Sequence, residues 1–259
     1  MNDIELPEGI LYNVKNGIAT ITISRAKKMN SITRDMGIDL NRIATEINDD
    51  KNVRVVLLTA IGEKAFSTGS DITLLHQYGT AYELRNRQDY CSAIRSIKKP
   101  VVTKINGYAL GGGLELLLAS DIRIVADNSK FAVSEVNNGW TSGSGATQLL
   151  ARQIGYNKAA ELVLTGKMID ANEALRLGFV NSVHSLDEID NYTDEMLQAM
   201  AEKSMTAMML IKQNLRASQN MSQNDGLEYE NDLFAFSMTT DDAKEGMTAF
   251  SEKRKPIFK

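Results

Sequence analysis

Alternation dominates the start of the chain. Residues 10–14 and 18–24 are β-rich segments of alternating apolar character, and they flank Lys15-Asn16-Gly17. An Asn-Gly pair between such runs predicts a hairpin. The period then changes. Met36, Leu40, Ile43, Ala44 and Ile47 recur three or four positions apart, which predicts a helix over 33–48 with Ser31 or Thr33 as its N-cap. Residues 53–59 are nearly continuously apolar and β-branched, the pattern of a strand buried on both faces. Residues 62–71 read as a loop of small residues, and 81–97 return to helical spacing. A second buried strand, 100–105, runs into Gly111-Gly112-Gly113, after which a helix is expected over about 112–119. Short strands over 121–126 and 131–134, joined through Asp127-Asn128-Ser129, complete this part.

The alternation of strand, loop and helix from Val53 to Phe131 predicts an α/β architecture with crossover connections. Two buried strands, each followed by a small-residue loop, suggest a coil of similar turns, although no sequence repeat has a fixed period. Beyond Phe131, helices are expected over 145–154, 158–165 and 170–177, with Gly155, Gly166 and Gly178 as stops. A last strand is expected at 180–184. From Leu186 to Glu252 the pattern is almost wholly helical. We place the division between an α/β core, 1–195, and a helical region, 196–259. Met196, Met200, Met205, Met208 and Met209 at the start of that region fit helix packing or a subunit interface. The basic end, Lys253-Arg254-Lys255, fits helix capping or a place near an anionic ligand.

Composition narrows the function. Of 259 residues 43% are hydrophobic, enough for one sizeable core. The net charge of -4 with scattered basic residues gives no footprint for nucleic acid. Cys91 is the only cysteine, which excludes an internal disulfide and a cysteine metal site. His76 and His184 are far apart and outside any metal-binding spacing, so no metal is expected. No apolar stretch approaches the ~20 residues of a membrane span. Met1-Asn2-Asp3-Ile4-Glu5 is acidic and lacks a signal core, so the expected compartment is the cytoplasm. No G-x-S-x-G or G-x-x-x-x-G-K-[ST] is present, and Gly143-Ser144-Gly145-Ala146-Thr147-Gln148 lacks the third glycine of a dinucleotide fingerprint.

Three features carry candidate chemistry. The first is Ala65-Phe66-Ser67-Thr68-Gly69-Ser70-Asp71, whose small side chains leave main-chain N–H groups approachable. The second is the triglycine turn with Glu115 in the first turn of the helix that follows. Free N–H groups at a helix start suit negative charge developing on oxygen; clearance for tight packing also explains the glycines. The third is Phe131-Ala132-Val133-Ser134-Glu135, which delivers a second carboxylate ahead of Gly139-Trp140-Thr141-Ser142-Gly143. Loops after consecutive parallel strands emerge at one sheet edge. Two carboxylates there can share acid and base work on one water. Taken singly, each also fits a solvated surface residue.

Asn106-Gly107-Tyr108-Ala109-Leu110-Gly111-Gly112-Gly113-Leu114-Glu115, with Asp121-Ile122 after it, resembles the signature of the crotonase, or enoyl-CoA hydratase/isomerase, superfamily. Lys64 to Ile72 resembles its acyl-CoA loop. Leu164-Thr165-Gly166, Glu173 to Val180 and Asp241 to Arg254 resemble its later helices, so the likeness spans about 10–258. The resemblance implies a ββα spiral core that binds acyl-CoA and carries catalysis, with a helical C-terminal region used in trimerisation, as a homotrimer or dimer of trimers. It implies an oxyanion hole at the N–H groups of Ser70 and Gly112, with Glu135 protonating the α carbon and Glu115 activating water. Lys64, Ala65, Ser67, Asp71, Ile72, Thr73, Trp140 and Gly143 become the expected substrate-binding residues, and Gly143 N–H would help position the water. The implied activity is hydration of a 2-enoyl-CoA. Coenzyme A is part of the substrate and no separate cofactor is implied. An isomerase using Glu135 alone, a specialised acyl-CoA dehydratase and a non-catalytic acyl-CoA-binding protein are the alternatives. Ser134, Ser70 and Ala146 depart from the family's common proline, alanine and glycine, and Trp140 either reshapes the acyl pocket or simply packs.

Overall fold

The computed structural model describes residues 7–258, so the acidic start at Met1 to Glu5 and Lys259 lie outside the described residues. Strands β1 (Gly9–Lys15) and β2 (Ile18–Ser24) pair antiparallel, with Lys15 opposite Ile18. Asn16 and Gly17 both have positive φ, 53° and 79°, as a two-residue turn matching the strand twist requires. Helix α1 (Arg34–Asp49) buries Met36, Leu40, Ile43, Ala44 and Ile47. Thr33 caps it by accepting from Met36 N at 3.3 Å, whereas Ser31 instead accepts from Arg25 at 2.9 Å.

Three turns of chain then follow one plan. In each, a strand enters a large sheet and a second, shorter strand enters a small one, after which helical chain returns. The first turn holds β3 (Val55–Ala60) and β4 (Ala65–Ser67), then α2 (Ala81–Arg85) and α3 (Tyr90–Ser96). The second holds β5 (Val101–Ile105), β6 (Tyr108–Leu110) and α4 (Gly112–Leu118). The third holds β7 (Ile122–Ala126) and β8 (Lys130–Ala132), then α5 (Ala146–Ile154) and α6 (Tyr156–Thr165). A two-residue strand β9 (Ile169–Asp170), helix α7 (Ala171–Leu177) and strand β10 (Ser182–His184) close the core.

The large sheet has the order β1-β2-β3-β5-β7-β10 and is parallel from β2 onward. The small sheet has the order β4-β6-β8-β9, with β9 antiparallel. The expected loop 62–71 therefore contains a strand, as does the approach to the triglycine turn. Both strands are three residues long and exist through mutual pairing, which local periodicity does not reveal. The helix expected over 81–97 is broken, because Asp89 accepts from Ser92 N at 2.9 Å and starts a new helix there.

Alternate residues of β3 face different cores. Val56 and Leu58 join α1, α3, α4 and α5 in the main cluster. Val55 and Leu57 pack on the opposite face against Ile189 and Leu197 of α8 (Ile189–Ala201), flanked by Met196 and Met200. Position 195, the expected core boundary, falls within this helix. Then come α9 (Met205–Ala217), α10 (Gln223–Ser237) and α11 (Asp241–Ser251). Lys212 ties α9 to the core, donating to Lys99 O at 2.7 Å and pairing with Asp121 at 2.5 Å. No residue of α10 is buried, and Leu227, Phe234, Phe236 and Phe250 are exposed apolar side chains of α10 and α11. Among the described residues no helix is long and apolar enough to cross a membrane.

Candidate active site

Backbone geometry at the triglycine turn sets the site. Gly111 has φ 52° and ψ -122°, a conformation that disfavours a side chain, and its N–H donates to Ala132 O of β8 at 2.9 Å. Gly113 lies so close to β4 that a Cβ there would stand 2.0 Å from Ser67 O. A Cβ on Gly69 would stand 2.6 Å from Gly112 N. The loop after β4 thus touches the start of α4 main chain to main chain, and Ser70 comes beside Gly112.

Ser70 is held from behind. Ile32 N donates to Gly69 O at 2.8 Å and Asp71 N donates to Ile32 O at 2.9 Å. This bridge passes over the Ser70 N–H. Neither that N–H nor the one on Gly112 donates to another described residue. Two unspent main-chain donors lie side by side where a strand-edge loop meets a helix start.

Glu115 and Glu135 reach the same turn in different states. Glu115 is 3% exposed in the first turn of α4, and its Oε1 accepts from Ser144 N at 2.8 Å and Ala146 N at 3.1 Å. Glu135, 9% exposed, opens a 3-10 turn (Glu135–Asn138) after β8. Its Oε1 lies 3.1 Å from where a Gly111 Cβ would stand, and its Oε2 has no partner among the described residues. Burial, reinforced by the charge of Glu115, pushes the Glu135 carboxyl above the usual range. One carboxylate is oriented by two amides. The other is desolvated and inclined to hold a proton.

Residues 13–259 match the family model described as enoyl-CoA hydratase/isomerase. The chain belongs to the enoyl-CoA hydratase/isomerase family. The crotonyl-CoA hydratase of Syntrophomonas wolfei subsp. wolfei is 35% identical over 255 residues, covering 97% of this chain and 98% of that protein. The (E)-benzylidenesuccinyl-CoA hydratase of Thauera aromatica is 34% identical over 253 residues, covering 96% and 98%. A crystal structure of enoyl-CoA hydratase from Bacillus anthracis matches with TM-score 0.89 and 33% identity, covering 97% of this chain and 99% of that one. The expected α/β architecture with a helical C-terminal region is the one observed, and its strands form two sheets.

The remaining residues expected from the family resemblance are distributed as follows. Lys64 O accepts from Tyr108 N at 3.0 Å, and Ala65 O accepts from Asn30 Nδ2 at 2.7 Å. Ser67 is wholly buried, its hydroxyl donating to Asn30 O at 2.8 Å and accepting from Gly69 N at 3.1 Å. Asp71 pairs with Arg25 at 2.7 Å and accepts from Thr73 Oγ1 at 2.6 Å and Thr73 N at 3.1 Å. These bonds, Thr73 first, hold its carboxyl below the usual range. Ile72 is 57% exposed and Trp140 44% exposed, each an apolar side chain open to solvent. Gly143 O accepts from Arg87 at 3.2 Å.

Helical periodicity over 81–97 does not disclose the polar clamp that the structure shows there. Asp89 Oδ1 accepts from Ser144 Oγ at 2.6 Å, Arg87 donates to the same hydroxyl at 2.9 Å, and Arg95 donates to Ser144 O at 2.5 Å. The clamp grips the residue whose N–H orients Glu115. The spacing Asp89-x-x-Ser92 of an N-cap was its one local signal. His76 and His184 stand apart, the first against Thr73 O and the second stacked on Tyr192. A cavity of about 730 Å³ also lies elsewhere, between α9 and Leu118 to Arg123.

Proposed function

We propose that this protein is an enoyl-CoA hydratase, a hydro-lyase that reversibly adds water across the 2,3 double bond of a 2-enoyl-CoA thioester. The observation that carries the reading is the asymmetric pair of buried glutamates beside two unspent main-chain donors. Ser70 N–H and Gly112 N–H bind the thioester oxygen and stabilise charge that develops there; one such donor elsewhere is worth ~10²–10³ in rate. Glu115, held by Ser144 and Ala146, takes a proton from the water whose oxygen bonds to C3. Glu135 gives its proton to C2, and a proton exchange afterwards resets the pair. Gly143 N–H helps to hold the water. The product is a 3-hydroxyacyl-CoA.

The loop Lys64 to Thr73 and Trp140 line the thioester and acyl path in this reading. The named relatives act on acyl groups as different as crotonyl and benzylidenesuccinyl. We assign 1–195 to the catalytic core and 196–259 to a region that assembles a homotrimer, alone or as a dimer of trimers. Exposed Phe234, Phe236 and Phe250 support that assembly role. The test is loss of conjugated-thioester absorbance with crotonyl-CoA, with Glu115→Gln and Glu135→Gln run beside it. Absence of turnover despite binding of the thioester would overturn the short-chain assignment.

A further inference from the structure

Two hydroxyls sit at the proposed oxyanion site and share a single hydrogen bond. Ser70 Oγ and Tyr90 Oη lie 3.0 Å apart, and either can be the donor. Neither oxygen makes another hydrogen bond with a described residue. Each hydroxyl carries one proton, so one bond between them uses one proton of two. Whichever way that bond runs, an O–H donor is left over.

The position of the surplus donor is defined from both sides. Ser70 contributes the first of the two N–H groups assigned to the thioester oxygen. Gly112 contributes the second, and a Cβ on Gly112 would stand 2.0 Å from Tyr90 Oη. Tyr90 is 7% exposed and opens α3 directly behind its Asp89 cap, so the phenol is fixed by packing as well as by Ser70. The phenolic oxygen therefore lies against the Gly112 backbone and within hydrogen-bond reach of the Ser70 side chain, the two residues whose N–H groups are assigned to the thioester oxygen.

We propose that the Ser70–Tyr90 pair supplies a third donor, a side-chain O–H, to the carbonyl oxygen of the bound acyl thioester. The proposal rests on the functional reading above only in requiring an acyl-CoA at Ser70 and Gly112. The group donates without transferring its proton. Burial foremost, with Cys91, Glu115 and Asp89 nearby, pushes the Tyr90 phenol well above its ordinary range, so the O–H persists at neutral pH. As negative charge grows on the oxygen during addition of water, this bond strengthens along with the two main-chain bonds.

The test uses Tyr90→Phe, Ser70→Ala and the double variant, each of which deletes oxygen and adds no bulk. Two readouts are taken: hydration of crotonyl-CoA, and the enolate absorbance of bound acetoacetyl-CoA at fixed pH. Either single variant keeps one hydroxyl that can turn to the ligand, so each is expected to lose less than about threefold in kcat. The double variant is expected to lose about 10- to 100-fold in kcat, with KM changed far less, as one hydrogen bond to an anion supplies. The enolate fraction should fall in the double variant by a similar factor. A double variant within threefold of the parent, or one with an unchanged enolate band, would overturn the proposal. If the parent binds acetoacetyl-CoA but hydrates no enoyl-CoA, the hydratase reading fails and the enolate band alone decides the donor. If acetoacetyl-CoA does not bind at all, both fall.

Discussion

The main-chain N–H of Ser144 donates to Glu115 Oε1 at 2.8 Å, joining residues 29 positions apart in the chain. Ala146 adds a second bond to the same oxygen at 3.1 Å. Glu135 receives no comparable support at Oε2 from the described residues. The difference assigns the two carboxylates different work and makes their roles separable by substitution.

Glu115→Gln and Glu135→Gln are each expected to lower kcat for hydration by ~10²–10⁴. Absorbance of the conjugated thioester measures it. An isomerase that uses Glu135 alone would lose activity in Glu135→Gln and keep it in Glu115→Gln, read as migration of the double bond of a 3-enoyl-CoA.

Stability should respond to Glu135 in a set direction. Burial, then the charge of Glu115, hold its carboxyl above the ordinary value of 4.5, so the folded state binds this proton more tightly than the unfolded chain. The stabilising contribution is complete below about pH 4.5 and is lost as pH rises through the folded-state pKa. Glu135→Gln should therefore melt higher than the parent at neutral pH, the gain disappearing in acid. Coincident melting curves across that range would refute the desolvation argument.

Asp89 has the opposite sign. Burial alone would raise its carboxyl, but hydrogen bonds from Ser144 and Ser92 hold it below the ordinary 3.8. Its contribution is present above that value and fades as pH falls through the folded-state pKa. Asp89→Ala should destabilise the fold by about 1–3 kcal/mol at neutral pH through the lost cap and clamp. Because Ser144 then orients Glu115 less well, kcat should fall more than KM rises. Denaturant titration and steady-state kinetics on one preparation check both claims.

Close approach of main chains makes Gly113 intolerant of a methyl group. A Cβ there would stand 2.0 Å from Ser67 O, a backbone atom in a buried strand. Gly113→Ala is expected to cost more than about 3 kcal/mol or to abolish soluble expression. Gly226, inside α10 with open space around its Cβ position, offers the control: Gly226→Ala should gain up to about 1 kcal/mol. Equal effects of the two substitutions would contradict the packing account.

Periodicity in the amino-acid sequence determined the hairpin at Asn16-Gly17, the amphipathic α1, the buried β3 and β5, and the glycine stops of α6 and α7. Each is a local matter of backbone preference or of which face meets the core, so neighbouring residues suffice to encode it. The motif around Gly111 to Glu115 likewise made the family legible. Tertiary structure alone decided the rest. Strands β4 and β6 exist because they pair with each other, and Ser70 meets Gly112 because two backbones lie within contact distance. Ser144 reaches Glu115 through a main-chain N–H, a group every residue but proline carries and no side chain advertises. Asp89 and Tyr90 looked like members of a helix until packing turned one toward Ser144 and the other toward Ser70. Such contacts join distant positions through atoms common to all residues, and only the folded chain selects which of them meet.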